Sequence, residues 1–475
     1  MNIEEFRRVG HELIDWIADY RERATRGDFP VTPRVTPGAL KRAIPRSPPI
    51  EPHSSDALLR DLNEAILPAC THWVDPRFFA YFPSNSSLAA VLADCVSTGL
   101  AQLGLNWQAS PALTELEEVT TDWLRQMVGL SESWSGVIQD TASSGTLVGL
   151  VCARERVSDY GAARGGLQGE GRPLVIYTSS QSHSSVDKAA LMAGFGRANI
   201  RAVPVDEHFA LLPEALEDAV RTDESKGLKP CAVVATVGTT ATTAIDPLTG
   251  VSQVARAHGL WMHVDAALAG SAMILPECRA LWEGVEGADS LVINPHKWLG
   301  TSFDCSTYFV RDPQHLVRVM STNPSYLRTA DDAVVKNFRD WGIPLGRRFR
   351  ALKLWFLIRE QGVSGLQARL RRDIGYARWF AAQVDSTPRW KRLAPVPLQT
   401  VCVRHEPIGL SGEALEAHTL GWVRRINESG QAYLTPAILE GRWMVRVSFG
   451  TEATQQRHVA ELWQLMQREA AREAP

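Results

Sequence analysis

The chain has 475 residues, of which 45% are hydrophobic and 22% charged, and its formal net charge is −3. This length and composition are typical of a large soluble enzyme with two or three domains, and the small net charge argues against a nucleic-acid or anionic-membrane partner. Seven scattered cysteines without a CxxC pair predict reduced thiols in a cytoplasmic protein and do not support a metal site. We expect neither a signal peptide nor a membrane span.

The first region, residues 1–75, is predicted to be an N-terminal helical arm. Apolar residues recur at helical spacing from Phe6 to Ala18, and a proline-rich stretch from Pro30 to Pro52 leads to a second helix near 56–68. A proline-rich segment between two helices buries itself poorly. We therefore expect the arm to wrap over a second subunit in a homodimer.

The middle region, residues 76–345, alternates helices with short apolar strands, for example at 173–177, 200–205 and 231–237. This alternation predicts a large α/β domain whose mainly parallel sheet is covered on both faces. The last region, residues 346–475, carries strand-like runs at 398–403 and 443–447 and a closing helix at 452–471. It is predicted to be a small C-terminal α/β domain.

A lysine follows one of the apolar runs of the middle region. The run 288–293 leads into Asn294-Pro295-His296-Lys297-Trp298. Ligands of α/β proteins bind beyond the carboxyl ends of the strands. A lysine in that place can form an imine with an aldehyde cofactor; the alternative is a surface lysine after a strand.

A carboxylate ends a second apolar run, in which Leu260 to Val264 is followed by Asp265. A buried carboxylate is costly unless it meets a cation. The protonated pyridine nitrogen of pyridoxal phosphate (PLP) would be such a cation. Asp265 and Lys297 together therefore predict PLP as the cofactor.

Two further segments fit a PLP site. The small, hydroxylated stretch 141–146 precedes the apolar run 147–151, as at a helix N-terminus that binds phosphate; ordinary N-capping is the alternative. His183 follows the strand at 173–177. Its ring could stack on the pyridine and bind a substrate carboxylate, whereas a lone histidine is otherwise a cap or a core residue.

Several motifs together resemble the group II PLP-dependent decarboxylases, in particular the aromatic L-amino acid decarboxylases and the aromatic aldehyde synthases. They include NPHKW at 294–298, HVDAA at 263–267, SHSS at 182–185 and WGIPLGRRFR at 341–350. The resemblance extends over nearly the whole chain. It implies the aspartate aminotransferase-like architecture called fold type I and an obligate homodimer with swapped N-terminal helices.

The resemblance also implies roles for individual residues. Lys297 would carry the cofactor as an imine, Asp265 would pair with the pyridine nitrogen, and His183 would stack on the ring. The remaining cofactor positions are Ala142, Ser143 and Asn294 at the phosphate, Thr240 near the ring hydroxyl, Ala267 on the opposite ring face and His296 near the imine. The substrate pocket is expected from Trp73, Tyr81, Phe82, Pro83 and Leu105.

Three positions depart from the family pattern and put the substrate or the product in doubt. Leu105 stands where a phenylalanine is usual, Leu268 replaces a tyrosine, and the catalytic loop tyrosine falls on Phe338. Decarboxylation to an amine needs an acid that protonates Cα, and such general acids typically contribute about 10²–10⁴-fold. Without one, the carbanion would live longer and react with O2.

The sequence therefore predicts decarboxylation of an aromatic L-amino acid but leaves two products open. If Phe338 is decisive, the products are aldehyde, CO2, ammonia and peroxide, as in an aromatic aldehyde synthase. If water, His183 or another loop residue protonates Cα, the product is the amine. An aminotransferase would share Lys297 and Asp265, but the context of His183 and NPHKW favours it less.

Overall fold

A computed structural model describes residues 1–322 and 334–472. The chain divides into two compact units. The larger unit comprises Ser84–Ala377 and Ala394–Thr400, and the smaller comprises Met1–Pro83, Arg378–Leu393 and Val401–Pro475. The predicted N-terminal arm and most of the predicted C-terminal domain thus belong to one unit, and the division into three regions stays a prediction.

The larger unit is built on a seven-stranded sheet in its described part. Its strands are β1 (Ser135–Gln139), β2 (Leu174–Ser179), β3 (Ile200–Val203), β4 (Lys229–Thr236), β5 (Trp261–Asp265), β6 (Ser290–Ile293) and β7 (Ser306–Val310). The strand order is β1-β7-β6-β5-β4-β2-β3. Strand β7 is antiparallel to both β1 and β6, whereas the pairs from β6 to β3 are parallel. The predicted mainly parallel α/β sheet is confirmed.

Every residue of β2, β5, β6 and β7 is buried, so both faces of this sheet are covered, as expected of strands packed between helices. These helices are α4 (Leu88–Gly99), α5 (Pro111–Val128), α6 (Ala142–Val157), α7 (Ser184–Met192), α8 (Pro213–Ser225), α9 (Leu248–Ala257), α10 (Pro313–Met320) and α11 (Ala351–Ser386). The backbone of α11 leaves helical geometry at Gly362, and this helix continues into the smaller unit.

The smaller unit combines helices with a four-stranded sheet in its described part. Its helices are α1 (Ile3–Arg26), α2 (Ala39–Ala43), α3 (Ser55–Asp61), α12 (Gly412–Ser429) and α13 (Gln456–Ala471). The sheet consists of β8 (Trp390–Arg392), β9 (Thr400–His405), β10 (Thr435–Leu439) and β11 (Arg442–Ser448), in the order β10-β11-β9-β8. The strands and the closing helix predicted for the C-terminal region are therefore present.

The proline-rich arm begins against its own unit. The N–H of Val31 donates to the carbonyl of Gly430 at 2.9 Å, and Val31 is buried with Phe78 and Ala80. Residues 45–54, by contrast, are exposed. The exposed residues 34–38 and 41–54 of the proline-rich segment are thus left available for a second subunit. Nowhere in residues 1–322 and 334–472 is a helix both long and apolar enough to cross a membrane.

Candidate active site

The predicted functional residues of the larger unit lie at one edge of its sheet. Strands β1, β2, β4, β5 and β6 run in the same direction, so their carboxyl ends share an edge. Ala142, His183, Thr240, Asp265 and Lys297 each stand at the end of one of these strands or in the segment that follows it. The sheet therefore gathers groups that are far apart in the sequence.

Asp265 is the last residue of β5 and is buried. Its Oδ1 accepts a hydrogen bond from the N–H of Ala267 at 3.0 Å. The carbonyl of Ala267 in turn accepts from the N–H of Asn294 at 3.0 Å. The turn after β5, with its carboxylate, is therefore bonded to the turn after β6, which leads to the lysine.

Lys297 lies in a tight turn after β6. Its N–H donates to the carbonyl of Asn294 at 2.9 Å, and its ψ of −114° departs from helical geometry. The next residue, Trp298, is fully buried, and its carbonyl accepts from Nη1 of Arg369 at 2.9 Å. The lysine backbone is thus fixed on both sides.

The two polar neighbours of Lys297 are buried. Oδ1 of Asn294 has no hydrogen-bond partner within the described ranges, and leaving such an atom unsatisfied costs about 1–3 kcal/mol. Nδ1 of His296 accepts from the N–H of Cys305 at 3.0 Å. Burial, reinforced by the charge of Lys297, lowers the pKa of His296 to about 4. His296 is therefore neutral at pH 7 and carries its proton on Nε2, while Asn294 offers an amide to a ligand.

The start of α6, beside β6, has the features expected of an anion site. No side chain caps this helix, so the N–H groups of its first turn, from Ala142 and Ser143 onwards, remain for a ligand. A Cβ at Gly145 would lie 2.4 Å from Cγ1 of Val292. Glycine thus lets the positive end of the helix approach the strand that leads to Lys297.

His183 caps the start of α7. Its Nδ1 accepts from the N–H of Ser185 at 3.1 Å, while the residue remains exposed. Partial burial lowers the pKa of His183; the charge of Asp265 opposes this shift and that of Lys297 reinforces it. His183 is thus within electrostatic reach of both groups, and at neutral pH its Nε2 carries a proton.

Thr240 is half-buried in the segment after β4. This segment is supported by Asp246, a residue that the sequence reasoning missed. The Asp246 carboxylate accepts from the N–H of Thr236 at 2.7 Å and from that of Leu211 at 2.8 Å. Burial raises the pKa of Asp246 to about 6. Its one sequence signal is an acid between apolar Ile245 and Pro247.

Arg369 and Asp373 on α11 were also missed. Nε1 of Trp298 donates to the Asp373 carboxylate at 2.9 Å, and both charged residues are buried. Burial raises the pKa of Asp373. The sequence shows that these charged residues lie on the apolar face of α11. It does not indicate that they bond to the turn that contains Lys297.

Phe338 is placed in the core of the larger unit. Its side chain is buried, with the ring of Trp341 edge-on at 5.5 Å and the Cζ of Arg347 5.0 Å from its centroid. Arg347 is itself buried and pairs with Glu117 at 2.5 Å. These contacts do not test the expectation that Phe338 takes the place of the catalytic loop tyrosine, which stays a prediction. Residues 323–333 of the same loop lie outside the described residues.

The predicted substrate residues fall into both units. Trp73 and Tyr81, in the smaller unit, stack with their ring centroids 5.6 Å apart. Phe82 lies under the guanidinium of Arg446, whose Cζ is 4.8 Å from the ring centroid. Buried Pro83 belongs to the same unit, whereas half-buried Leu105 belongs to the larger one.

Comparisons with known proteins agree with this geometry. A family model described as the pyridoxal-dependent decarboxylase conserved domain matches residues 37–406. Tyrosine decarboxylase 4 of Petroselinum crispum is 41% identical over 478 residues, which cover 98% of this chain and 93% of that protein. Phenylacetaldehyde synthase of Arabidopsis thaliana is 40% identical over 481 residues, covering 99% and 97%.

A solved structure supports the same assignment. The crystal structure of Catharanthus roseus tryptophan decarboxylase in complex with L-tryptophan matches with a TM-score of 0.93 and 38% identity, over 99% of this chain and 98% of that one. The family resemblance carried by the sequence motifs, and the fold type that it implied, are confirmed. The chain belongs to the pyridoxal-dependent decarboxylase family, and pyridoxal phosphate is its cofactor.

Proposed function

We propose that this enzyme decarboxylates an aromatic L-amino acid, releasing CO2 and forming the amine. The observation that carries the proposal is the junction of two turns, in which Asn294 bonds to Ala267 and so joins Asp265 to the lysine turn. Relatives named as tyrosine and tryptophan decarboxylases support the aromatic substrate.

The residues at the carboxyl edge fit PLP. The uncapped first turn of α6, with Ser143, would hold the phosphate. Asn294, whose Oδ1 has no hydrogen-bond partner among the described residues, precedes Lys297 in the same turn. Lys297 would supply the amine for the cofactor's aldehyde, and Asp265 would supply the negative charge that keeps the pyridine nitrogen protonated. Ala267 and His183 are proposed for the two ring faces, and Thr240 for the ring hydroxyl.

PLP, when bound, supplies a ring that accepts the electron pair left at Cα as CO2 departs. His183 acts on the substrate. Because its Nδ1 accepts from Ser185, its protonated Nε2 can donate a hydrogen bond to the substrate carboxylate before the Cα–C bond breaks. His296 accepts a hydrogen bond from the N–H of Cys305 and is neutral. It therefore adds no second positive charge next to Lys297. For the aromatic side chain of the substrate we propose Trp73 and Tyr81, whose rings stack on each other.

The second candidate is the aldehyde synthase reaction, and the similarity to phenylacetaldehyde synthase favours it. In that reaction O2 and water are consumed, and aldehyde, CO2, ammonia and hydrogen peroxide are released. Phe338 in place of the usual loop tyrosine is the second argument for it. Against it stands the proposal that water, His183 or another loop residue protonates Cα, so that the missing hydroxyl at this position does not change the product.

The deciding experiment is incubation with phenylalanine, tyrosine, tryptophan and their hydroxylated forms, scoring CO2, amine, aldehyde, ammonia, peroxide and O2 uptake together. Amine in a one-to-one ratio with CO2, without O2 uptake, is expected. Phe338→Tyr is expected to leave the product unchanged. Its counterpart is Tyr326→Phe, since Tyr326 is the one tyrosine between Met320 and Ala351 in the sequence, although it lies outside the described residues. Aldehyde and peroxide from the unaltered enzyme would establish the second candidate instead.

We also propose a homodimer. One face of α4, continued by Leu100 directly after the helix, is apolar and exposed: Leu88, Leu92, Val96 and Leu100 are spaced four residues apart and each is 46–54% exposed. Such a stripe is unusual on a monomer and typical of an interface. Sedimentation of the purified enzyme tests this, because a stable monomer at micromolar concentration contradicts it.

Finally, we propose a cytoplasmic location. None of the seven cysteines forms a disulfide in the part of the chain that the structure describes, and five of them are buried. Reduced, buried thiols suit a reducing compartment. Fractionation of cells that express a tagged protein tests the location, and recovery from an oxidising compartment contradicts it.

A further inference from the structure

Tyr81 has a backbone conformation that few residues other than glycine adopt. Its φ is +51°, in the left-handed region. A tyrosine stays there only where its surroundings hold it, and such positions concentrate at binding sites. One hold is visible in the backbone, since the N–H of Tyr81 donates to Oγ1 of Thr435 at 2.6 Å.

Tyr433 supplies a second hold, at the side chain. The hydroxyl oxygens of Tyr81 and Tyr433 are 3.2 Å apart, and the two rings meet edge-to-face with their centroids 5.9 Å apart. Trp73 stacks on Tyr81 at an interplanar angle of 19°. The Tyr81 ring is fixed by these contacts and is nevertheless 46% exposed, as expected of a ring that is kept in place for a ligand.

The position of Tyr433 is set by the segment that leads to Tyr81. The N–H of Tyr433 donates to the carbonyl of Arg77 at 3.2 Å, and its carbonyl accepts from the N–H of Phe79 at 3.0 Å. Burial and the hydrogen bond with Tyr81 raise the pKa of Tyr433 to about 12. Its hydroxyl therefore keeps its proton at neutral pH and remains able to donate or accept.

We propose that Tyr433 is a positioning residue that holds the Tyr81 ring as a wall of the pocket for the substrate's aromatic side chain. This inference rests on the proposed function, in which Tyr81 contacts the substrate. Tyr433 acts through Tyr81, so its loss should weaken substrate binding and leave the chemical step intact.

The test compares Tyr433→Phe, Tyr81→Phe and the double variant, which remove hydroxyls and keep the rings. Losing one hydrogen bond should raise the KM for the best aromatic substrate about two- to tenfold, with kcat and the cofactor absorbance unchanged. The double variant should be no worse than the poorer single one. Tyr160→Phe is the control, because that hydroxyl bonds to Nδ1 of His315 at 2.9 Å, outside this cluster.

A crystal structure of the Tyr433→Phe enzyme provides a readout independent of activity. We expect the Tyr81 ring to leave its stack on Trp73. An unchanged KM, additive effects in the double variant or an unmoved Tyr81 would each overturn the inference. If the unaltered enzyme turns over no aromatic amino acid, the proposed function fails, and the conformation of Tyr81 in the variant still decides whether Tyr433 positions it.

Discussion

Gly145 tests whether the phosphate site depends on close packing of α6 against β6. In Gly145→Ala the new Cβ would lie 2.4 Å from Cγ1 of Val292, more than 1 Å inside the optimal carbon–carbon separation of about 3.5–4.0 Å. Overpacking of this kind costs about 1–3 kcal/mol. The gain in helix propensity returns about 0.8–1 kcal/mol, so we expect a net loss of up to about 2 kcal/mol.

This strain falls on the first turn of α6, which is the proposed phosphate site. The substitution should therefore lower the affinity for PLP as well as the stability. The free energy of unfolding in urea, measured on cofactor-free protein, gives the first effect. Titration of PLP, followed by its absorbance, gives the second. Gly375→Ala is the matched control, since nothing lies within 4 Å of a Cβ at that position of α11; it should be as stable as the unaltered enzyme or slightly more so. If Gly145→Ala behaves like this control in both assays, the tight approach is not what shapes the site.

Three further predictions concern the cofactor, pH and assembly. Lys297→Ala should lose both the absorbance band of the bound cofactor and all turnover, whereas the control Lys226→Ala, at an exposed position, should keep both. Asp265→Asn should keep the fold but lose most of the activity. Near-normal turnover of Asp265→Asn would refute the role of Asp265. His263 and His296 have pKa values lowered by burial to about 4, so they contribute stability above pH 6.5 that is lost as the pH falls towards 4. The pKa of Asp246 is raised to about 6, so its protonation as the pH falls below 6 stabilises the folded protein and opposes this loss. The net loss from pH 7 to pH 5 is about 2 kcal/mol, and an unchanged urea midpoint would contradict it. Leu92→Glu should dissociate the dimer at micromolar concentration because an unpaired buried carboxylate costs several kcal/mol, whereas Ile408→Glu at an exposed loop position should not; equal sedimentation of the two variants would exclude the α4 face.

The sequence was sufficient for those parts of the site that combine a strand with a chemical need. Asp265 and Lys297 each end or follow an apolar run, so their shared edge could be predicted before any contact was known. The supporting residues could not. Asp246, Arg369 and Asp373 act through contacts made by distant parts of the chain, and hydrophobic periodicity does not encode which turn a buried charge will hold.

Phe338 is a second case in which the sequence does not reveal the neighbours of a residue. Motif alignment gave it a catalytic position, because WGIPLGRR follows it closely. Whether an aromatic residue in such a segment faces a substrate or the core depends on its neighbours. Arg347, bonded to Glu117 and placed over the Phe338 ring, is a neighbour that no pattern in the sequence revealed, and the catalytic role of Phe338 stays a prediction.

The register of the sheet has a consequence for how this chain tolerates changes in length. Thr236, Asp265 and Val292 are aligned across β4, β5 and β6, and successive side chains on a strand point to opposite faces. One residue added within β5 would turn Asp265 away from the pyridine nitrogen that it is proposed to pair with, although every proposed functional residue would still be present. The stretch 164–166, which is exposed at residues 164 and 165, should accept the same insertion, since glycines 165 and 166 have nothing within 4 Å of a Cβ. The direction in which the proposed functional side chains point thus depends on the exact number of residues in three short strands. Deletions or insertions there should abolish activity as completely as removal of the lysine.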